Sequence, residues 1–110
     1  MSKKKNFQPD EQPDNSEQSN AAQRSLVFDV RFLEDLTFWV ETNRKIALRL
    51  LALVEEVGRT PFEGTGKPER LKYQNGNVWS RRLTEKDRVV YLVAIDRIEF
   101  LQARYHYDDR

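Results

Sequence analysis

The sequence predicts an α+β domain of two layers, in which an N-terminal strand and a helical hairpin pack on an antiparallel sheet. The main reason is a change of periodicity along the chain. From Phe32 to Val57, apolar residues recur three and four positions apart, as they do on one face of an amphipathic helix. Beyond Val78 the apolar period shortens to two, which is typical of strands. The stretch 60–69 between these regions is rich in Pro and Gly and is expected to be irregular.

The first 25 residues are expected to form a disordered tail, because they hold one aromatic and almost no aliphatic side chain. The folded domain is then 26–107, and 108–110 form a short C-terminal extension. Polar and acidic residues follow the lysines at positions 3–5, where a signal peptide would be apolar. No apolar run approaches the ~18 residues of a membrane span. We therefore expect a cytoplasmic protein that does not associate with a membrane.

A short strand is predicted at 26–28, followed by two helices at about 31–41 and 43–57. The helices are expected to meet at Thr42 and Asn43, because Thr and Asn are better helix caps than interior residues. Gly58 is the expected C-cap of the second helix.

Three further strands are predicted from runs of β-branched and aromatic residues, at 78–83, 89–95 and 98–105, with turns at 84–87 and 96–97. A three-residue loop at 96–98 would place Arg88 directly opposite His106. A two-residue loop would turn His106 to the other face unless a bulge intervened. Either loop places both residues at the same end of the hairpin.

Composition excludes several kinds of active site. The chain has no cysteine, so disulfides, thiolate metal sites and a cysteine nucleophile are excluded. It has a single histidine and no His/carboxylate cluster at helical spacing, so neither a metal nor another cofactor is expected. The loop 64–68 hints at a phosphate-binding loop, but Pro61 occupies the position of the first Walker glycine. No serine lies in a nucleophile elbow.

The remaining Glu, Arg, Lys, Tyr and His side chains suit metal-free RNA cleavage, because RNA carries its own nucleophile, the 2′-hydroxyl. Such cleavage needs a general base, a cation for the crowded phosphate, and a general acid for the leaving 5′-oxygen. With one histidine the base and the acid must differ in kind, so a carboxylate would be the base and His106 the acid. Residues 64–110 carry a net charge of +3, which suits a phosphate backbone but also fits an ordinary solvated surface.

Three motifs of the chain are specific: the loop RTPFEGTGKPE at 59–69 followed by Leu71-Lys72, the strand segment WSRR at 79–82 followed by Thr84-Glu85, Arg88 and Val90-Tyr91, and the C-terminal RYHY at 104–107. They resemble motifs of the YoeB toxins, a family of the RelE-like superfamily. The helical part is similar at Trp39, Glu41 and Thr42, and the resemblance extends from Leu26 to Tyr107 without a gap.

The resemblance implies roles for particular residues. It makes Glu69 the general base and Arg88 the cation that stabilises the scissile phosphate. His106 becomes the general acid, and Tyr107 the residue that orients the RNA. Two further basic residues are implied to line the RNA site, Lys72 and Arg82.

The family also implies a biological setting, the toxin of a type II toxin–antitoxin system. Its members cleave messenger RNA in the ribosomal A site, often form homodimers, and are silenced by a YefM-type antitoxin.

Relatives usually end at the His-Tyr pair, whereas here Asp108, Asp109 and Arg110 follow. Two carboxylates at the catalytic end would repel phosphate. A non-catalytic RNA or ribosome binder therefore stays open as an alternative. A second alternative is a ParE-like toxin that inhibits gyrase, which shares the scaffold. The combination of Glu69, Arg88 and the His-Tyr pair favours the ribonuclease.

Overall fold

The structure is a computed structural model that describes residues 23–72 and 75–105. Two helices cover one face of a five-stranded sheet with the strand order β1-β5-β4-β3-β2. The elements in chain order are β1 Ser25–Phe28, α1 Val30–Thr42, α2 Arg44–Arg59, β2 Glu69–Arg70, β3 Val78–Arg82, β4 Arg88–Val93 and β5 Arg97–Gln102. The α+β class and the order of the predicted elements are confirmed. In the described part of the chain, no helix is long and apolar enough to cross a membrane.

The N-terminal strand is an integral part of the sheet. It pairs with β5 in parallel, Leu26 opposite Ile98 and Phe28 opposite Phe100, and it begins one residue earlier than predicted. The other pairs are antiparallel, so the sheet is mixed rather than wholly antiparallel. Parallel pairing is possible because the whole helical hairpin separates β1 from the strands that follow it.

The helical hairpin turns at the predicted position. Asn43 caps both helices: its backbone N–H donates to the Trp39 carbonyl at the end of α1, and its side chain accepts from the Ile46 N–H at the start of α2. The predicted C-cap at Gly58 is wrong. Hydrogen bonding continues through this residue, because the Thr60 N–H donates to the Glu56 carbonyl at 2.8 Å, and α2 ends at Arg59.

The core lies between the two helices and the sheet. Its buried apolar side chains come from both helices, from β4 and β5, and from the residues that flank the strands; the largest of those that are almost completely buried are Phe32, Leu50, Leu53, Val57, Val89, Tyr91, Ile98 and Phe100. Polar contacts fix the chain just after β5. The buried Asp35 carboxylate accepts the Ala103 N–H at 2.8 Å, and the Trp39 indole N–H donates to the Ala103 carbonyl at 2.9 Å. These bonds set the point from which the C-terminal segment leaves the core.

The register of the β4–β5 hairpin differs from both loops that the sequence suggested. The Ala94 N–H donates to the Arg97 carbonyl, Val93 pairs with Ile98, and a bulge follows between Val90 and Tyr91. The predicted register is wrong because Ile95 has the β-branched side chain of a strand residue but lies 90% exposed in the turn. Strand β5 ends at Gln102, before any pairing that would place Arg88 opposite His106.

Candidate active site

The helix-free face of the sheet brings Glu69, Ser80 and Arg88 together. In β4 the residues Val89, Tyr91 and Val93 are buried, so the alternate residues, Arg88 among them, point to the opposite face. Ser80 pairs with Val90, and Glu69 pairs with Ser80 across the two-residue strand β2. Three neighbouring strands therefore each contribute one polar side chain to the same surface.

Arg88 is the fixed member of this group. Its Nε donates to the Ser80 hydroxyl at 2.9 Å, and Ser80 itself is buried. Its Nη2 lies 3.4 Å from Glu69 Oε1. The Arg88 side chain is 23% exposed and the Glu69 side chain 69% exposed. In the described part of the chain Nη1 of Arg88 has no acceptor, so the guanidinium keeps donors available for an anion at the surface.

A second cation stands beside Arg88. Arg82 on β3 pairs directly with Arg88 on β4, and among residues 23–72 and 75–105 the Arg82 side chain has no acidic partner. Like charges opposite one another are unfavourable in a sheet, and an anion bound between them would relieve that repulsion.

Lys72 is not brought to the same place. The Leu71 N–H donates to the Val78 carbonyl, which puts Lys72 at the far end of the β2–β3 pair from Arg82. Of the two basic residues predicted to line the site, Arg82 therefore adjoins Arg88 and Lys72 is separate.

The predicted residues His106 and Tyr107 lie outside the described residues, as do 1–22 and the extension 108–110. The last described residue, Tyr105, donates its N–H to Asp87 Oδ1 at 2.7 Å. Asp87 precedes Arg88 in the chain, and its other oxygen holds the β3–β4 turn through Thr84 at 2.7 Å. The chain thus reaches Tyr105, one residue before His106, beside the residue that precedes Arg88.

Two residues near the site were not predicted from the sequence, Ser80 and Arg81. Ser80 had a detectable signal, because alternation along β3 and β4 puts it on the same face as Arg88. Arg81 is fully buried on the opposite face and binds the loop that leads to Glu69. Its signal was weaker, an arginine at a strand position that should face the core.

Other parts of the described structure are weaker candidates for a functional site. No group of three His, Cys, Asp or Glu side chains lies close enough to hold a metal ion among residues 23–72 and 75–105. A cleft of about 610 Å³ lies between the α1–α2 turn and the β3–β4 turn, with Trp39, Asn43 and Asp87 in its lining. Neither Glu69 nor Arg88 lines this cleft, although Asp87 precedes Arg88 in the chain.

Comparison with known proteins identifies the family. Residues 28–107 match the family model described as the YoeB-like toxin of bacterial type II toxin–antitoxin systems. The chain belongs to this family. Toxin RelK of Mycobacterium tuberculosis is 44% identical to this chain over 84 residues, which cover 76% of this chain and 99% of that protein.

Solved structures of YoeB toxins share the fold. The YoeB/ParE toxin from Agrobacterium tumefaciens has a TM-score of 0.69 and 38% identity, covering 76% of this chain and 99% of that one. The YoeB–YefM complex from Staphylococcus aureus has a TM-score of 0.67 and 30% identity, covering 77% and 99%, and a YoeB dimer from the same organism also matches. The archaeal RelE–RelB complex from Pyrococcus horikoshii, at 15% identity and a TM-score of 0.62, supports the RelE-like fold alone.

Proposed function

We propose that this YoeB-like toxin is a ribosome-dependent endoribonuclease, which inhibits translation by cleaving messenger RNA in the ribosomal A site. The observation that carries the proposal is the pairing of an exposed carboxylate, Glu69, with a fixed guanidinium, Arg88, 3.4 Å apart on an open sheet face. A base for the nucleophile and a cation for the phosphate are the groups that cleavage by the RNA 2′-hydroxyl needs.

In the proposed reaction Glu69 accepts the proton of the 2′-hydroxyl, and the 2′-oxygen attacks the adjacent phosphorus. Negative charge builds on the phosphoryl oxygens, where the Arg88 donors stabilise it. The bond between phosphorus and the 5′-oxygen then breaks, and the leaving oxygen takes a proton from His106. The products are a 2′,3′-cyclic phosphate and a 5′-hydroxyl.

The remaining roles are proposals of the same kind. The bond between Tyr105 and Asp87 supports His106 as the acid, since it fixes the residue before His106 to the residue before Arg88. Tyr107 orients the RNA. Arg82 and Lys72 bind its backbone. The assignment of Arg82 is the better supported of the two, because Arg82 lies opposite Arg88 in the sheet. We also propose that 1–25 form a tail, 26–107 the toxin domain and 108–110 an extension.

The partners are proposed from the relatives. The Staphylococcus aureus proteins are named as a YoeB–YefM complex and a YoeB dimer, and they align with 77% of this chain. We propose that a YefM-type antitoxin binds this toxin and that the toxin forms a homodimer. A ribosomal substrate would place the protein in the cytoplasm.

The test is translation of a defined messenger RNA by purified components, with primer extension to map the cuts. We expect the wild-type toxin to cut within A-site codons, and His106→Gln to cut about 10²–10⁴-fold more slowly, the usual size of a general-acid contribution. Blocked translation without cuts by either protein would instead indicate a non-catalytic ribosome binder. Normal translation with inhibited DNA supercoiling would indicate a ParE-like gyrase inhibitor.

A further inference from the structure

The irregular loop 60–68 connects α2 to Glu69, and in its first part, 60–65, side chains rather than a neighbouring strand bind the backbone carbonyls. Arg81 on β3 is the centre of this arrangement. Its guanidinium donates to the carbonyls of Thr60, Glu63 and Thr65, with distances of 2.8 Å to Glu63 and 3.2 Å to Thr65. The Arg81 side chain is completely buried, so the guanidinium end of these bonds is shielded from water, although the acceptor residues lie at the surface.

Glu56 and Tyr91 complete a group that we call the Arg81 node. The Arg81 Nε donates to the Tyr91 hydroxyl at 3.1 Å, and that hydroxyl donates to the Pro61 carbonyl at 2.7 Å. Glu56 on α2 lies 3.4 Å from Arg81 and accepts the Thr65 N–H at 2.8 Å. One buried cation therefore ties the loop to the sheet, and one carboxylate ties it to the helix.

The loop packs closely on the node. Gly64 has a φ of 126°, and a Cβ there would lie 2.1 Å from the Glu56 carboxylate. Gly66 has a φ of 87°, and its carbonyl accepts the Arg82 N–H at 2.8 Å. The loop is thus fixed to β3 up to three residues before Glu69.

The charge states suit this role. The hydrogen bond from the Thr65 N–H, together with Arg81, lowers the pKa of Glu56, so the carboxylate stays ionised beside the guanidinium. Burial raises the pKa of Tyr91, which keeps its hydroxyl as a neutral donor to Pro61. A buried arginine is stable only when its donors are satisfied, and the loop carbonyls provide those acceptors.

Strand β2 alone is a weak anchor for Glu69. It has two residues at the edge of the sheet, Glu69 opposite Ser80 and Arg70 opposite Trp79. We propose that Arg81 is a positioning residue, which fixes the loop 60–66 and thereby holds Glu69 beside Arg88. The kinetic consequence rests on the proposed ribonuclease function; the structural consequence, a fixed loop, does not.

The kinetic test is a double-mutant cycle between Arg81→Lys and Glu69→Gln. Displacing a reacting group by about 1 Å can cost on the order of 10²-fold in rate, so we expect Arg81→Lys to slow cleavage by roughly 10–10²-fold at saturating ribosomes. In a protein that already carries Glu69→Gln, Arg81→Lys should lower the cleavage rate by no more than about twofold, because the carboxylate that Arg81 positions is absent. Arg59→Lys is the matched control; this exposed arginine pairs with Glu55 at the end of α2 and should cleave at the wild-type rate.

Tyr91→Phe is the second variant, in case Arg81→Lys does not fold. It keeps the core ring and removes only the hydroxyl bound to Pro61 and Arg81. It should show the same pattern with a smaller loss. A loss that multiplies fully with Glu69→Gln in a folded variant would overturn the proposal, since it would show that the node acts independently of Glu69.

Amide hydrogen exchange tests the fixed loop without any activity. In the folded variants the amides of Thr65 and Arg82, which donate to Glu56 and Gly66, should exchange faster than in the wild type. The Ala103 amide, which donates to Asp35 in the core, should be unchanged. Unchanged exchange at Thr65 and Arg82 would overturn the positioning role. A wild-type protein that does not cleave RNA would overturn the ribonuclease proposal and leave exchange to decide the positioning role.

Discussion

Replacement of Arg88 by alanine should slow messenger RNA cleavage about 10²–10⁴-fold, the range seen when a charge-stabilising group is removed from an active site. The guanidinium is held by the buried Ser80 hydroxyl at 2.9 Å and has donors left over for the phosphate. Arg88→Lys should recover part of the rate, because lysine keeps the charge but lacks the planar fork that matches a phosphate. Single-turnover cleavage on ribosomes with a defined A-site codon is the measurement.

The matched control is Arg97→Ala. Arg97 is also a strand arginine, but it pairs with Asp96 and Glu99 at the hairpin turn rather than with site residues. It should cleave at close to the wild-type rate. If circular dichroism shows that both variants are folded and Arg88→Ala cleaves at the wild-type rate, Arg88 has no part in the mechanism.

Replacement of Glu69 by glutamine should also slow cleavage about 10²–10⁴-fold, because the amide keeps the shape of the side chain but cannot take the 2′-hydroxyl proton. The Glu69–Arg88 ion pair is 3.4 Å long and the carboxylate is 69% exposed, so its loss should change the free energy of unfolding by less than about 1 kcal/mol. A large kinetic effect with a small stability effect is the expected signature of a catalytic group. Cleavage rate and urea unfolding, measured on the same preparation, provide both numbers.

Glu63→Gln is the control for this substitution. Glu63 lies in the same loop with an exposed side chain, and only its backbone carbonyl takes part in the Arg81 node. It should be neutral in both measurements. If Glu69→Gln were as active as Glu63→Gln, another group or a water molecule would have to be the base.

The sequence predicted best the elements in which the apolar pattern repeats over many residues. The apolar stripe from Phe32 to Val57 specified both helices, and Asn43 marked the turn between them because its side chain caps the second helix. The hairpin register was predicted wrongly because Ile95, an exposed turn residue, has a β-branched side chain that is typical of strands. Strand β2 was missed because two residues carry no periodicity.

The site was predictable only in part. Glu69 came from the resemblance to a toxin family, whereas the predicted hairpin already placed Arg88 at the same end as His106. The contact between Glu69 and Arg88 depends on β2, which periodicity does not reveal. The burial of Arg81 had only a weak signal in the sequence, because its acceptors are carbonyls at 60–65, far away in the chain. An arginine in a strand is ordinarily a surface residue, and only the folded loop provides enough acceptors to bury it.

The central claim is that the RNA 2′-hydroxyl is the nucleophile, and replacing that single hydroxyl tests it most directly. The cut is first mapped on an unmodified message in the ribosomal A site, and a message with one 2′-deoxynucleotide on the 5′ side of that bond is then compared. We predict that the unmodified message yields a 2′,3′-cyclic phosphate and a 5′-hydroxyl, and that the 2′-deoxy message is not cut at that bond. Equal cleavage of the two messages, or a product that begins with a 5′-phosphate, would contradict the account.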